Sequence, residues 1–164
     1  LTSLTEDKGD LATINAFADV TLSTANITVT DNVNKAEADA INAYNDSSGT
    51  VTLTSITDTV INVLAVENNA NISLATSTIT VTDPASLADA IAFKEFTTAQ
   101  VTFQKVEDTV SNITSIDGID TKDLSMASAA ITVTDPASLA DATAINGFTD
   151  ASAVSYTHLT LPTT

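Results

Sequence analysis

Acidic side chains recur at fixed intervals along this chain, and their type and spacing could support chemistry. Two sets repeat every 52 residues: Asp31, Asp83 and Asp135, followed by Glu37, Asp89 and Asp141. Carboxylate oxygens are the ligands that Ca²⁺ prefers, at about 2.3–2.6 Å. In a stack of strands with two turns per repeat, equivalent carboxylates would lie roughly 10 Å apart, too far for one ion to bridge. We expect the first set to cap helices and the second to lie on a solvated helix face, with Ca²⁺ binding as the alternative.

Groups that could catalyse a reaction are scarce. His158 is the one histidine of the chain, so a Ser-His-Asp arrangement would depend on it. The chain has no cysteine, and its 4 glycines form neither a P-loop nor a G-x-G-x-x-G motif. We therefore expect no enzymatic activity, no catalytic residue and no bound cofactor.

Threonines form a third regular set, in Thr-x-Thr pairs that would point outward from strands. The pairs are Thr28 and Thr30, Thr80 and Thr82, and Thr132 and Thr134, with Thr52 and Thr102 on intervening strands. Such rows resemble the ice-binding faces of some solenoid proteins, but threonine is also simply a good residue for an exposed strand. Carbohydrate binding is a further alternative, which the aromatic content of 4% disfavours because few rings can stack on sugars.

The charge balance excludes one class of partner. Five basic residues oppose 21 acidic ones, for a formal net charge of −16. Nucleic-acid binding depends largely on lysine and arginine displacing counterions, so we expect no nucleic-acid partner. No apolar run reaches the length of about 18 residues that a membrane-spanning helix needs.

The elements that must position these side chains come from one repeated stretch. ITVTDPASLADA occurs at residues 79–90 and again at 131–142, and its first five letters also occur at 27–31. A period of 52 residues held over three copies predicts a repeat array in which one unit stacks on the next. The hydrophobic share of 43% with few aromatics suits a thin core of Val, Ile, Leu and Ala.

ITVTD alternates apolar and polar residues, as a half-buried strand does. Asp83 and Asp135 are each followed by proline, so we expect them to be helix N-caps with Pro84 and Pro136 in the first helical position. The helices should bury a stripe at spacings of three: Leu87, Ala90, Phe93 and Phe96 in one copy, and Leu139, Ala142, Ile145 and Phe148 in the next.

A second strand-helix pattern lies between these copies, in TVTLTSITDTVINV (50–63) and QVTFQKVEDTVSNI (100–113). Asp58 and Asp108 are the expected caps, and Asn62 and Asn112 are expected to hydrogen-bond along the stack. SLTEDKGDLATI (3–14) is a third copy, in which Leu4, Leu11 and Ile14 match Ile56, Val63 and Val66.

Each repeat thus contains two turns of about 26 residues, within the range of leucine-rich-type solenoids. We predict an α/β strand-helix solenoid with a parallel sheet on one face, because neither a short strand nor a short helix is stable alone. The alternative is a series of antiparallel β-hairpins with short helices, since NISLATSTITVTD could fold back on itself.

ITVTD-x-ASLADA followed by VTF-x-x-VEDTVSNI resembles the tandem tracts of very large bacterial secreted or surface proteins. The resemblance covers residues 1–153 and implies an extracellular or cell-surface, adhesin-like spacer or interaction scaffold. Its partners would be neighbouring repeats of the parent chain and a cell-surface or matrix component. We expect a fragment cut within repeats at both ends, whose open ends fray and self-associate.

The final residues, VSYTHLTLPTT at 154–164, resemble translated sequencing-adapter sequence of metagenomic assemblies. We therefore divide the chain into a repeat tract of about three repeats, 1–153, and a non-native tail, 154–164. The tail nevertheless falls where a strand is due, because Val154 follows Val101 by 53 residues.

Overall fold

The computed structural model describes residues 1–45, 48–119, 123–151 and 154–160. Within these ranges the chain is a mixed α/β protein with nine strands in parallel β-sheet and six α-helices, and strands alternate with helices.

The strands are β1 (Ser3–Glu6), β2 (Asn26–Val33), β3 (Val51–Asp58), β4 (Ile72–Ser73), β5 (Thr78–Ala85), β6 (Val101–Asp108), β7 (Leu124–Ser125), β8 (Ala130–Ser138) and β9 (Val154–Thr160). The helices are α1 (Lys8–Asn15), α2 (Lys35–Asn42), α3 (Val60–Glu67), α4 (Leu87–Phe96), α5 (Val110–Gly118) and α6 (Leu139–Asn146), and a short 3-10 turn, Ala43–Asn45, follows α2.

The chain divides into two compact units, one formed by residues 1–79 with 96–99 and the other by residues 80–95 with 100–164. In the first unit β2 lies between β1 and β3, and the short β4 pairs with the start of β3. In the second unit β8 lies between β6 and β9, and β7 pairs with the start of β6. These pairings are all parallel, so the antiparallel hairpin alternative is wrong.

Successive strands pair in register, which sets the face that each side chain occupies. Leu4 lies opposite Ile27, which lies opposite Val51, so partners in the first unit are 23 and 24 residues apart. In the second unit Val106 lies opposite Ile131, and Ile131 opposite Val154, at intervals of 25 and 23. A parallel neighbour so close in sequence requires a crossover, and a helix supplies each one.

Each unit has an apolar core between its sheet and its helices. Ile27, Val29 and Leu53 of the first unit are at most 1% exposed, whereas Thr28 and Thr52 are partly exposed, as the alternating pattern predicts. In the second unit Phe93 and Phe103 stack at a tilt of 32°, with ring centroids 6.2 Å apart. Such an aromatic pair fills volume that small aliphatic side chains would leave empty, and contributes about 0.5–1.5 kcal/mol beyond burial.

The predicted apolar stripes of the helices are largely confirmed. Val63 and Val66 of α3 and Ile113 and Ile116 of α5 are buried, as are Ala90 and Phe93 of α4. Leu139 departs from the pattern, because it is the first residue of α6 and is 56% exposed.

The prediction that Pro84 and Pro136 begin helices is wrong. Both lie in strands, within β5 and β8, and α6 begins at Leu139 after Ser138 as its N-cap. Proline disfavours the helical conformation in the residue before it, so the Asp-Pro pairs prolong the strands. The register of β8 and β9 shifts between Val133 and Pro136, where a residue without an N–H is tolerated.

Buried polar side chains occur at three positions that are 52 residues apart: Asn45, Thr97 and Thr149. In the first unit Thr97 Oγ1 donates to Ser77 O at 2.8 Å, and in the second Thr149 Oγ1 donates to Ala129 O at the same distance. Each hydroxyl therefore satisfies a backbone carbonyl about 20 residues away, as buried polar groups require. These three positions lie outside the apolar patterns from which burial is predicted.

Part of the segment that we predicted to be a non-native tail forms a strand. Residues 154–160 form β9, and Tyr156 Oη donates to Ala142 O of α6 at 3.0 Å. The strand position inferred from its spacing is therefore occupied, while the adapter origin remains a prediction; residues 152, 153 and 161–164 lie outside the described residues. None of the helices in the described ranges is long and apolar enough to cross a bilayer.

Candidate functional site

Aspartates at the carboxyl ends of the strands bind the helix of the preceding turn. In the first unit Asp31 Oδ1 accepts the Lys8 N–H at 2.9 Å, and Asp58 Oδ2 accepts the Lys35 N–H at 2.8 Å. Lys8 and Lys35 are the first residues of α1 and α2. Helix N-termini have unsatisfied N–H groups and partial positive charge, so a carboxylate there is stabilising.

The second unit repeats this contact. Asp108 Oδ2 accepts the Leu87 N–H at 2.9 Å, and Asp135 Oδ1 accepts the Val110 N–H at 2.7 Å. The prediction that Asp135 caps the helix following it is therefore wrong, because Ser138 occupies that position. Asp83 lies half-buried in β5 and likewise precedes its helix by several residues.

Asp58 also binds α3, the helix that follows it. We call this arrangement the strand-end clamp: the carboxylate of an Asp-Thr-x-x-Asn segment accepts hydrogen bonds from three donors. Asp58 Oδ1 accepts the Thr59 N–H and the Asn62 Nδ2 at 2.8 Å each, while Oδ2 holds the preceding helix. The N-cap is Thr59, one residue later than predicted, and Asn62 binds within its own turn rather than along the stack.

Asp108 forms the same clamp in the second unit. Its Oδ1 accepts the Thr109 N–H at 2.8 Å and the Asn112 Nδ2 at 2.7 Å, and Thr109 is the N-cap of α5. One carboxylate thus joins a strand end, the helix that follows it and the helix of the preceding turn.

The clamps shift the acidity of both aspartates. Burial acts to raise the pKa of Asp58, but the hydrogen bonds from Asn62 and from the N–H groups of Lys35 and Thr59 outweigh it and lower that pKa. Asp108 shows the same balance, and its pKa is also lowered. Both groups therefore remain ionised acceptors to lower pH than a free aspartate.

The members of the second predicted set are partly exposed in the first turns of their helices, where they close the helix N-termini. Glu37, Asp89 and Asp141 each follow the capping position by three residues. Asp141 Oδ2 accepts the Ser138 N–H at 2.9 Å and its hydroxyl at 2.7 Å, and these bonds lower the pKa of Asp141. This is the capping box, whose signature Ser-x-x-Asp is legible in the sequence.

Glu37 has an additional partner in Lys8, whose Nζ lies 2.8 Å from its Oε1. The Lys8 ammonium, followed by the Asn34 N–H, lowers the pKa of Glu37, and Glu37 raises the pKa of Lys8. The two side chains are 36% and 40% exposed, so this pair contributes little to stability.

Within the described ranges, no three His, Cys, Asp or Glu side chains gather in a way that could hold a metal ion. Among the predicted candidates, Asp31 and Asp135 accept the first N–H of a helix, Glu37 accepts hydrogen bonds from Lys8 and Asn34, and Asp89 and Asp141 accept them from Ser86 and Ser138. The structure thus gives these carboxylates an architectural use.

The outward threonines form a row across the first unit. Thr5 lies opposite Thr28, Thr28 opposite Thr52, and Thr52 opposite Ser73 of β4. Further along the same strands, the register of β2 with β3 shifts between Val29 and Asn32. In the second unit Thr132 has Ser155 on one side but Glu107 on the other, so the hydroxyl row there is interrupted by a charge.

Apart from the carboxylates and threonines, the described residues include one histidine and a polar depression. His158 is exposed on β9. A shallow depression at the N-termini of α2 and α3 is lined by polar groups that include Lys35, Asp39 and Asp58. Asp58 and Lys35 are already bonded there through the clamp.

In comparisons with protein-family models, curated proteins and solved structures, no match to this chain was found.

Proposed function

We propose that this chain is part of a non-catalytic spacer or interaction scaffold in a large bacterial extracellular protein. The observation that carries the proposal is the use of its carboxylates: those at the strand ends bind the helix of the preceding turn. Side chains that could have formed an acidic site are thus engaged in holding one turn to the next.

The arrangement we propose is a strand-helix solenoid with a two-turn repeat of 52 residues. Two facts support it: strands pair with partners 23–25 residues away, and the clamp recurs with the same donors in both units. Such an array can be lengthened by adding identical units, because each unit packs against its neighbours and no new kind of core is needed.

The test is to lengthen the chain and measure its shape. A variant with residues 79–130 duplicated in tandem should gain two strand positions, which adds about 10 Å to one dimension. Small-angle X-ray scattering of the two chains should show an increased maximum dimension with an unchanged cross-section. An unchanged maximum dimension with a thicker cross-section would contradict the proposed function as a spacer.

A second candidate, a carbohydrate- or ice-binding face, is favoured by the hydroxyl row of Thr5, Thr28 and Thr52. Replacing Thr28 and Thr52 by lysine should then abolish retention on insoluble polysaccharide or on growing ice. Thr143→Lys on the exposed side of α6 is the matched control, and should leave retention unchanged. If the unsubstituted chain is not retained on either material, this candidate is eliminated.

A further inference from the structure

Two of the repeated aspartates are followed by proline. An Asp-Pro pair occurs at residues 83–84 and again at 135–136, whereas Asp31 of the first copy is followed by Asn32. The peptide bond after an aspartate is unusually open to attack by the side-chain carboxylate when proline follows. The reason is that the tertiary amide nitrogen of proline accepts a proton more readily than an ordinary peptide nitrogen, and leaves as a secondary amine.

This reaction needs hydronium and water but no other molecule. A carboxylate oxygen of Asp135 forms a bond to the carbonyl carbon of the same residue, the bond from that carbon to the Pro136 nitrogen breaks, and the nitrogen takes a proton from hydronium. The product is a five-membered cyclic anhydride. One water molecule opens it, which leaves Asp135 with a free carboxyl terminus and Pro136 with a free amino terminus.

The fold places this bond in a β-bulge. Between the paired positions Val133 and Pro136, β8 has two residues, one of them Asp135, whereas β9 has one residue between their partners. β2 has the same bulge opposite β3, with Asp31 in it. Pro136 is exposed, as is Asn32 at the equivalent position. The bond after Asp31 is therefore an internal comparison for the Asp-Pro bond.

A contact between elements restrains the carboxylate that would attack. Asp135 Oδ1 accepts the Val110 N–H of α5 at 2.7 Å. Ring closure requires a carboxylate oxygen to approach the carbonyl carbon of its own residue from about 3–3.5 Å with the correct orientation. A side chain that is bonded to another element cannot rotate freely into that geometry, so the contact opposes cleavage while it is formed.

Other charged groups flank this end of β8. They are Asp108 at the end of β6, Asp141 in the first turn of α6 and His158 of β9, which lies opposite Pro136. The first turn of α5 has no charged residue. These groups are the same in two variants compared at one pH, so such a comparison isolates the contact of Asp135.

We propose that the bond between Asp135 and Pro136 is a self-cleavage site of this chain, and that the Val110 N–H protects it by holding the Asp135 carboxylate. Release of this contact allows the carboxylate to cut its own chain. The same dipeptide lies 52 residues earlier, so cleavage at both bonds excises residues 84–135, one repeat in length. The reaction depends on the dipeptide and its contact, and not on the extracellular role proposed above.

The first test removes the protecting donor. Val110→Pro deletes this N–H at the first position of α5, where proline is favoured. The preceding Thr109 already has the extended backbone that proline requires, with φ −72° and ψ 160°. Mass spectrometry of the folded protein at about pH 4.5, where carboxylate and hydronium coexist, detects release of residues 136–164. The variant should be cut about tenfold faster than the unsubstituted chain, as expected for loss of one hydrogen bond to a charged group.

Lys8→Pro is the matched control. It deletes the N–H that binds Asp31 Oδ1 at 2.9 Å, and Asp7 before it is also extended, with φ −76° and ψ 165°. Because Asn32 follows Asp31, this variant should show no cleavage after residue 31 and an unchanged rate at the Asp-Pro bond. A folded Val110→Pro protein that is cut no faster than the unsubstituted chain, or an equal acceleration by Lys8→Pro, would overturn the protection.

The second test uses the unsubstituted chain and decides the question even if Val110→Pro does not fold. As urea is raised below the unfolding transition, hydrogen exchange at the Val110 N–H and cleavage at 135–136 should accelerate by the same factor, because both require the same local opening. Pro136→Ala should abolish this cleavage and leave that at 83–84 unchanged. The proposal would be overturned by a constant cleavage rate while exchange accelerates, by continued cleavage of Pro136→Ala, or by intact chains after full unfolding in urea.

Discussion

At the scale of single residues, the carboxylates of this chain act as hydrogen-bond acceptors for backbone N–H groups. Asp58 and Asp108 each receive three donors, which leaves little capacity for a ligand. Ionised acceptors form stronger bonds than neutral ones, so an aspartate is better suited than an asparagine to a position with several N–H donors.

Asp58→Asn should lower the free energy of unfolding by about 1–3 kcal/mol, because the substitution removes the charge and replaces one acceptor oxygen by a donor. Chemical denaturation followed by circular dichroism measures this loss. Asp19→Asn, at an exposed position, is the control and should change stability by less than about 0.5 kcal/mol. Equal free energies of unfolding for the Asp58→Asn and Asp19→Asn variants would contradict a stabilising role of the clamp.

Stability should fall as the solution is made acidic. The folded-state pKa values of Asp58, Asp108 and Asp141 lie below the ordinary aspartate value of 3.8, and that of Glu37 below 4.5. Groups with lowered pKa contribute stability that is present above those ordinary values and is lost as pH falls through the lowered ones. Burial raises the pKa of Glu67, so the ionisation of this group as the pH rises destabilises the folded state.

The measurement is the free energy of unfolding between neutral pH and about pH 2. The unsubstituted chain should lose stability mainly below pH 3.8. A variant with both Asp58→Asn and Asp108→Asn should show a shallower decline, because it has two fewer groups that must be protonated. Parallel declines in the two proteins would show that the clamps do not cause the acid sensitivity.

At the scale of elements, each strand-helix turn is held by contacts to the turn beside it. The turn that leads into β3 depends on Gly49, because a Cβ atom there would lie 2.1 Å from Ala25 O. That oxygen belongs to the backbone of the neighbouring turn and cannot move without shifting β2. Close approach of two backbones is one of the roles that only glycine fills.

Gly49→Ala should therefore destabilise the protein by about 2–4 kcal/mol, since the overlap forces a backbone shift. Gly118→Ala, at the end of α5, is the matched control: among the described residues beyond its own helix and chain neighbours, nothing lies within 4 Å of its Cβ position, and alanine favours helix. Thermal unfolding of both variants measures the difference. A Gly49→Ala protein as stable as Gly118→Ala would mean that the two turns do not pack as described.

At the scale of the whole molecule, the dominant property is a net charge of −16 on 164 residues. The described ion pairs are those of Lys8, Lys35 and Lys94, so most acidic groups are not balanced by a cation. Like charges repel within a compact chain and oppose folding. Salt screens this repulsion over about 10 Å at 0.1 M.

Added sodium chloride should therefore stabilise the protein by about 1 kcal/mol, which raises Tm by roughly 2–4 °C for a chain of this size. Scanning calorimetry at low and moderate salt measures the change. A variant with Glu95→Gln and Glu107→Gln, both at exposed positions, should respond less to salt. A Tm that falls with salt would show that ion pairs such as Lys8–Glu37 outweigh the repulsion.

The sequence alone determined the alternation of strands and helices and the faces of their side chains. Periods of two and about 3.6 residues are local properties, so the burial of Ile27 and Val63 and the partial exposure of Thr28 could be predicted directly. The capping box at Ser138 is also a local pattern, but the Asp-Pro pair before it led to the prediction of an earlier helix start.

Only the tertiary structure decided what the carboxylates bind. The donor for Asp31 is the N–H of Lys8, 23 residues away, and the donor for Asp135 is 25 residues away. Such a partner is set by strand register, and register depends on how neighbouring turns pack rather than on any short stretch. For the same reason the sequence did not indicate the buried hydroxyl of Thr97, because this group donates to the backbone of another turn.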